Sequence, residues 1–103
     1  MEGHALISAD VVASYAGDAA LEIEGVRRLV DGSRPKHHGV KVTNAEGVLS
    51  VELHLGLEWG AAAAAVGIAV QQRVAEYLGR MTDLETATVD VVVDDFGPPA
   101  EGG

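Results

Sequence analysis

Apolar residues recur along this chain at two spacings, and the switches between them predict its elements. After Ser8, the residues Val12, Ala16, Ala19, Ala20 and Ile23 follow at three- and four-residue steps with Tyr15 beside them, one face of a helix. Ser8 offers the hydroxyl of an N-cap, Asp10 sits in the first turn where the helix dipole favours a negative charge, and Gly25 is the expected stop. His4–Ile7 predicts a short strand leading in. Val40 and Val42 alternate with Lys41 and Thr43, and Asn44–Gly47 has turn chemistry. Leu49, Val51, Leu53, Leu55, Leu57 and Trp59 then take every odd position, with Ser50, Glu52, His54, Gly56 and Glu58 between them. That alternation predicts a long strand with one wet face. Ala61–Met81 reads as a second helix with Val66, Val70, Val74, Tyr77, Leu78 and Met81 on one side, ended by Thr82-Asp83. A last strand turns Val89, Val91 and Val93 inward and Thr88, Asp90 and Asp94 outward.

The predicted order is β-α-β-β-α-β. Both long strands have one apolar and one polar face, so both helices belong on the same side of the sheet. The expected fold is an α+β two-layer sandwich with two helices on one face of a mixed sheet, and a ferredoxin-like wiring fits that string of elements. A single domain is expected over 1–96, with 97–103 as a flexible tail because two prolines and three glycines crowd it.

Length and charge narrow the function classes. A chain of 103 residues with 48% apolar positions builds one core, which excludes a multi-domain enzyme. The absence of cysteine removes disulfides, thiolate metal sites and cysteine nucleophiles. A net charge of −9 is a poor field for nucleic acid, so no nucleic-acid partner is expected. The longest charge-free run, Trp59–Gln72, holds fourteen residues, too few for a membrane span. No secretory signal pattern opens the chain, so the expected compartment is the cytoplasm.

Four features carry candidate chemistry. Between Val26 and Lys41 lie Arg27, Arg28, Arg34, Lys36 and Lys41 against the single acid Asp31, a local charge of +4 on an otherwise acidic chain. Gly32, Ser33, Pro35 and Gly39 mark this stretch as a loop, and Arg27, Arg28, Arg34 and Lys36 are its candidate docking residues for an acidic partner or anionic headgroups. His37-His38 supplies two imidazoles, short of the four ligands of a structural metal site and beside the repelling Lys36, so no metal is expected. Glu52, His54 and Glu58 share the wet face of the long strand with Asp90 and Asp94. A histidine among carboxylates can serve as a general base, but an open sheet offers no dry pocket and no nucleophile. On the second helix, Ala61, Ala64, Ala65, Ile68, Gln72, Ala75 and Gly79 fall opposite the core stripe without a charge, and Ile68 is the candidate apolar anchor of an interface. Glycine spacing excludes both G-x-G-x-x-G and the P-loop, and no H-E-x-x-H or G-x-S-x-G occurs. No catalytic residue and no cofactor is expected.

From Ile7 to about Val93 the chain resembles the alkaline shock protein family of Gram-positive bacteria. The segments that carry the likeness are ISADVVASYAGDAALEIEGV, GVKV, LSVELHLGLEWG and VQQRVAEYLGRMTDLETATVDVVV. The family's E-V-E-G-V helix exit corresponds to Glu22-Ile23-Glu24-Gly25-Val26, its aromatic-glycine pair to Trp59-Gly60, and its V-x-x-x-V-Q-x-x-V stripe to Val66, Val70, Gln71 and Val74. Its M-T-G-L exit stands here as Met81-Thr82-Asp83-Leu84. The chain departs from the family where Ala61–Ala65 replaces a polar-proline helix start, and where Ile68 and Ala69 replace charged residues. The resemblance implies a non-enzymatic cytoplasmic protein of envelope stress or cell-wall homeostasis, without catalytic residues. It implies recruitment to the inner face of the membrane by a small membrane anchor protein, and self-association in some members. The alternative it implies is a regulatory partner of a lipid-metabolic enzyme.

Overall fold

The computed structural model describes residues 8–30, 39–82 and 85–98. Along the chain these form α1 (Ala9–Leu21), β1 (Val26–Leu29), β2 (Val40–Ala45), β3 (Val48–Glu58), α2 (Ala63–Met81) and β4 (Glu85–Gly97). The two-layer α+β arrangement expected from the sequence stands. The strand expected at His4–Ile7 lies outside the described residues.

β3 is the centre of the sheet. On one side β4 runs parallel to it, and on the other β1 and β2 both run antiparallel to it, end to end. β1 faces Leu55–Leu57 and β2 faces Val48–Leu53, so the two are halves of one interrupted edge strand. The interruption is centred on His54, which accepts from the amide of Val30 at 2.8 Å and donates to the carbonyl of Gly39 at 2.9 Å. The chain therefore leaves the edge after Val30 and rejoins it at Gly39. This corrects the reading of Val26–Lys41 as one loop: Val26–Leu29 is strand, because Val26 fills a core position that is only 7% exposed. Hairpin β2–β3 closes through Glu46 and Gly47 at φ 55° and 83°, the left-handed pair of a two-residue turn, and Asn44 Oδ1 accepts from the Gly47 amide.

Alternation decides which face is dry. Leu49, Val51, Leu53, Leu55 and Leu57 are at most 1% exposed, and both helices pack on them. Full burial of each such side chain favours folding by about 1.5–3 kcal/mol before the entropy of ordering is subtracted. α1 lies over β1 and β2, α2 over β4. Ala16, Ala19 and Ala20 are fully buried, so α1 meets its neighbours there through methyl groups alone. Ser8 caps α1 as expected, its Oγ accepting from the Val11 amide, but the helix ends at Glu22, before Gly25. Val70, Val74 and Leu78 anchor α2. Tyr15 and Tyr77 meet edge to face at 6.0 Å between the helices, and Arg73 lies 5.4 Å from the Tyr77 ring centroid.

Two expected core residues are outside the core. Trp59 is 67% exposed, because the ladder stops at Glu58 and the chain turns away at Gly60. Met81 is 42% exposed in the last turn of α2, where Leu78 holds the inward position and Thr82 ends the helix by bonding back to the Leu78 carbonyl.

Candidate functional site

The uncovered face of the sheet carries the ionisable groups singled out in the sequence, and two irregularities in β4 arrange them. The β3–β4 register advances by one extra β4 residue between Leu49 and Ser50 and again between Leu55 and Gly56. The second bulge falls at Asp94. A bulge sets two successive residues against one, which brings the carboxylates of both Asp94 and Asp95 to bear on groups of the open face. His54 Nδ1 lies 2.8 Å from Asp94 Oδ2, and its Nε2 lies 2.6 Å from Glu52 Oε2. Glu58 and Asp90 stand on the same face but outside this cluster.

Only an imidazolium donates to both carboxylates at once, and the hydrogen bond to Glu52, then that to Asp94, holds the His54 pKa above its ordinary value. A histidine with a raised folded pKa contributes stability that is complete below its unfolded pKa and is lost as pH rises through the folded one. The side chain is one-third exposed, so the contribution is screened to about 1 kcal/mol or less. Urea midpoints should therefore fall for the wild type as pH rises above about 6.5, the ordinary histidine value, and His54→Gln should flatten that part of the profile. A slope unchanged in the variant would remove His54 as its cause.

Arg28 and Asp95 form a second pair across the same face at 2.6 Å, passing over Gly56. A Cβ on Gly56 would meet the Asp95 carboxylate and lie 3.3 Å from the Arg28 stem, so the missing side chain is what lets the pair close. Arg27 lies across Gly97 and donates from Nε to the Pro98 carbonyl at 2.7 Å. Two of the four expected docking cations are thus engaged within the chain. Arg34, Lys36, His37 and His38 lie outside the described residues.

The outer side of α2 matches the expected stripe in part: Ala61 and Ala75 are partly buried against the core, and Ala61 lies ahead of the helix. Ile68 is 54% exposed, and Ala64, Ala65, Gln72 and Gly79 are exposed with it. Arg73 is drawn off this stripe to Glu22 of α1 at 2.7 Å, and Arg80 pairs with Glu76. Exposed Trp59 and Phe96 stand at the sheet end from which α2 departs, next to the half of the helix that carries Ile68.

Two concavities among the described residues are small. One on the open face, about 110 Å³, is lined by Lys41, Thr43, Ser50, Glu52 and Asp90. A second, about 270 Å³, lies between α2 and β4 along Gln71, Gln72, Ala75, Thr86 and Thr88. Both fall below the roughly 300–1,000 Å³ of a small-molecule site. The partnership of Arg28 with Asp95 and the second groove escaped the sequence reading. The adjacent pair Asp94-Asp95 was the only trace of the first, because a bulge breaks the alternation that predicts facing residues.

Comparison with solved structures gives the same fold in several forms of the MamM CTD. One variant superposes with a TM-score of 0.67 at 15% identity, covering 85% of this chain and 99% of that one. A manganese form gives 0.66 at 16% over 85% and 99%. A further variant gives 0.65 at 17% over 84% and 93%. At such identities the likeness is one of fold. No curated protein matches the chain. The family comparison agrees with the motifs read from the sequence and extends over residues 1–97: the chain belongs to the alkaline shock protein family, whose function is related to the cell envelope.

Proposed function

We propose that this protein is a non-enzymatic scaffold of the envelope stress response, held at the inner face of the cell membrane by a protein partner and self-associating through the outer face of α2. Family membership supports the envelope setting. The contact role is carried by one observation: the longest charge-free run of a −9 chain, Trp59–Gln72, coincides with exposed Trp59 and Ile68 on the described surface. Two copies of an acidic protein approach each other with least repulsion through such a stripe. An enzymatic role finds no support at His54, since both ring nitrogens are taken by carboxylates and neither is free for a substrate proton. No helix among the described residues is long and apolar enough to cross a membrane, and the family resemblance implies attachment through a partner. The competing reading, a regulatory partner of a lipid-metabolic enzyme docking through the basic segment, is weakened by the internal bonds of Arg27 and Arg28.

Light scattering over a concentration series tests the self-association. The wild type should grow beyond monomer mass as concentration rises, and Ile68→Glu should stay monomeric with unchanged thermal unfolding. A wild type that stays monomeric throughout, or a variant that assembles equally well, would exclude this face.

A further inference from the structure

Among the described residues β4 pairs with β3 alone, so none of them covers its outward edge as a strand. Its direction can be worked out from His54, whose amide and carbonyl are both spent on the β1/β2 side. Peptide groups alternate sides along a strand, so Val51, Leu53 and Leu55 turn theirs toward β4. With Val51 opposite Val89 and Leu53 opposite Val91, they engage Thr88, Asp90 and Val92. The peptide groups of Val89, Val91 and Val93 are left facing away from the sheet. Gln71 of α2 agrees with that direction by donating to the Val89 carbonyl at 2.9 Å.

Between its two bulges, β4 keeps an unbroken register from Thr88 to Val93 against Ser50 to Leu55, a straight template for one more strand. The groove of about 270 Å³ runs beside this stretch, room for one or two side chains. Thr86, which lines the groove, has a buried hydroxyl without a hydrogen-bond partner. Charge selects the occupant. β4 holds Glu85, Asp90, Asp94 and Asp95 and no base. His54 matches Asp94 and Arg28 matches Asp95, while Glu85 and Asp90 have no ion pair among the described residues. A second copy laid along this edge would set acid against acid, which disfavours pairing.

We propose that an extended basic segment of a protein partner adds as a further strand along Thr88–Val93. A Lys or Arg of that segment stands beside Asp90 on the open face, and its alternate side chains enter the groove against Gln71, Gln72 and Thr86. This deepens the interaction reading by naming a partner class; its groove borders the outer face of α2 at Gln72 and Ala75, but Ile68 does not line the groove and Asp90 does not lie on α2. The two therefore succeed or fail separately.

The probes are synthetic peptides of about eight residues. One alternates Val with Lys, one alternates Val with Glu, and a third is the Val-Lys peptide N-methylated at every amide, so that neither of its edges can donate. In the free protein, hydrogen exchange should be faster at the amides of Val89, Val91 and Val93 than at those of Thr88, Asp90 and Val92. The Val-Lys peptide should slow Val91 and Val93. Its methylated form, which keeps the charge and loses the ladder bonds, should bind about tenfold more weakly. Asp90→Lys should shift preference toward the Val-Glu peptide by about fivefold, with Asp90→Asn between. The proposal is overturned if those three valine amides are already protected in the free protein, if the methylated peptide binds equally, if protection appears on another element, or if no peptide binds.

Discussion

Leu55→Ala should destabilise the protein by about 2–5 kcal/mol, whereas His54→Ala, one residue earlier, should cost about 1 kcal/mol or less. Leu55 is fully buried at the centre of β3, between the β1 end of the interrupted edge strand and Val93 of β4, under the helices. Removing its side chain loses the transfer free energy and leaves a cavity within the core cluster. His54 points to the other face and is held by charges that water partly screens. In a domain of this size the Leu55 variant should melt roughly 10–30 °C lower. Equal losses for the two variants would mean that the faces of β3 are assigned wrongly.

Gly56→Val is the second large effect, about 1–3 kcal/mol of destabilisation. Valine is the better strand residue, so propensity alone predicts a small gain. Its Cβ, however, would occupy the place of the Asp95 carboxylate and crowd the Arg28 stem. One Asp95 oxygen is already buried without a hydrogen-bond partner, which marks how closely this crossing is packed. In an Asp95→Ala background the penalty of Gly56→Val should fall to a small fraction or reverse. Chemical denaturation of the four proteins of that cycle gives the coupling directly. A penalty that persists without the aspartate would place the strain elsewhere.

The elements that the sequence made legible were those whose periodicity was unbroken. Eleven alternating residues told the dry face of β3 from the wet one, and Val70, Val74 and Leu78 aimed α2. What stayed hidden lay where one residue breaks the period. β1 is four residues long and contains a bulge at Arg27, so two arginines and nearby turn residues masked it as loop. Trp59 continued the odd-position pattern one step beyond the ladder that gave the pattern its meaning. The same limit governs the site. Glu52, His54 and Asp94 could be placed on one face by counting, but their meeting depends on a bulge in β4 that no spacing announces. Ile68 was found because absence of charge on a helix face is a property of the sequence itself.

The claim that a protein partner holds this protein at the membrane is tested most directly by flotation. The purified protein is mixed with membranes from its own cell, with the same membranes after protease stripping, and with protein-free vesicles made from their extracted lipids. It should float with the native membranes and stay at the bottom with the stripped membranes and with the vesicles, since its net charge of −9 gives it no general attraction to anionic lipid. Equal flotation with protein-free vesicles, or none with native membranes, would contradict the account.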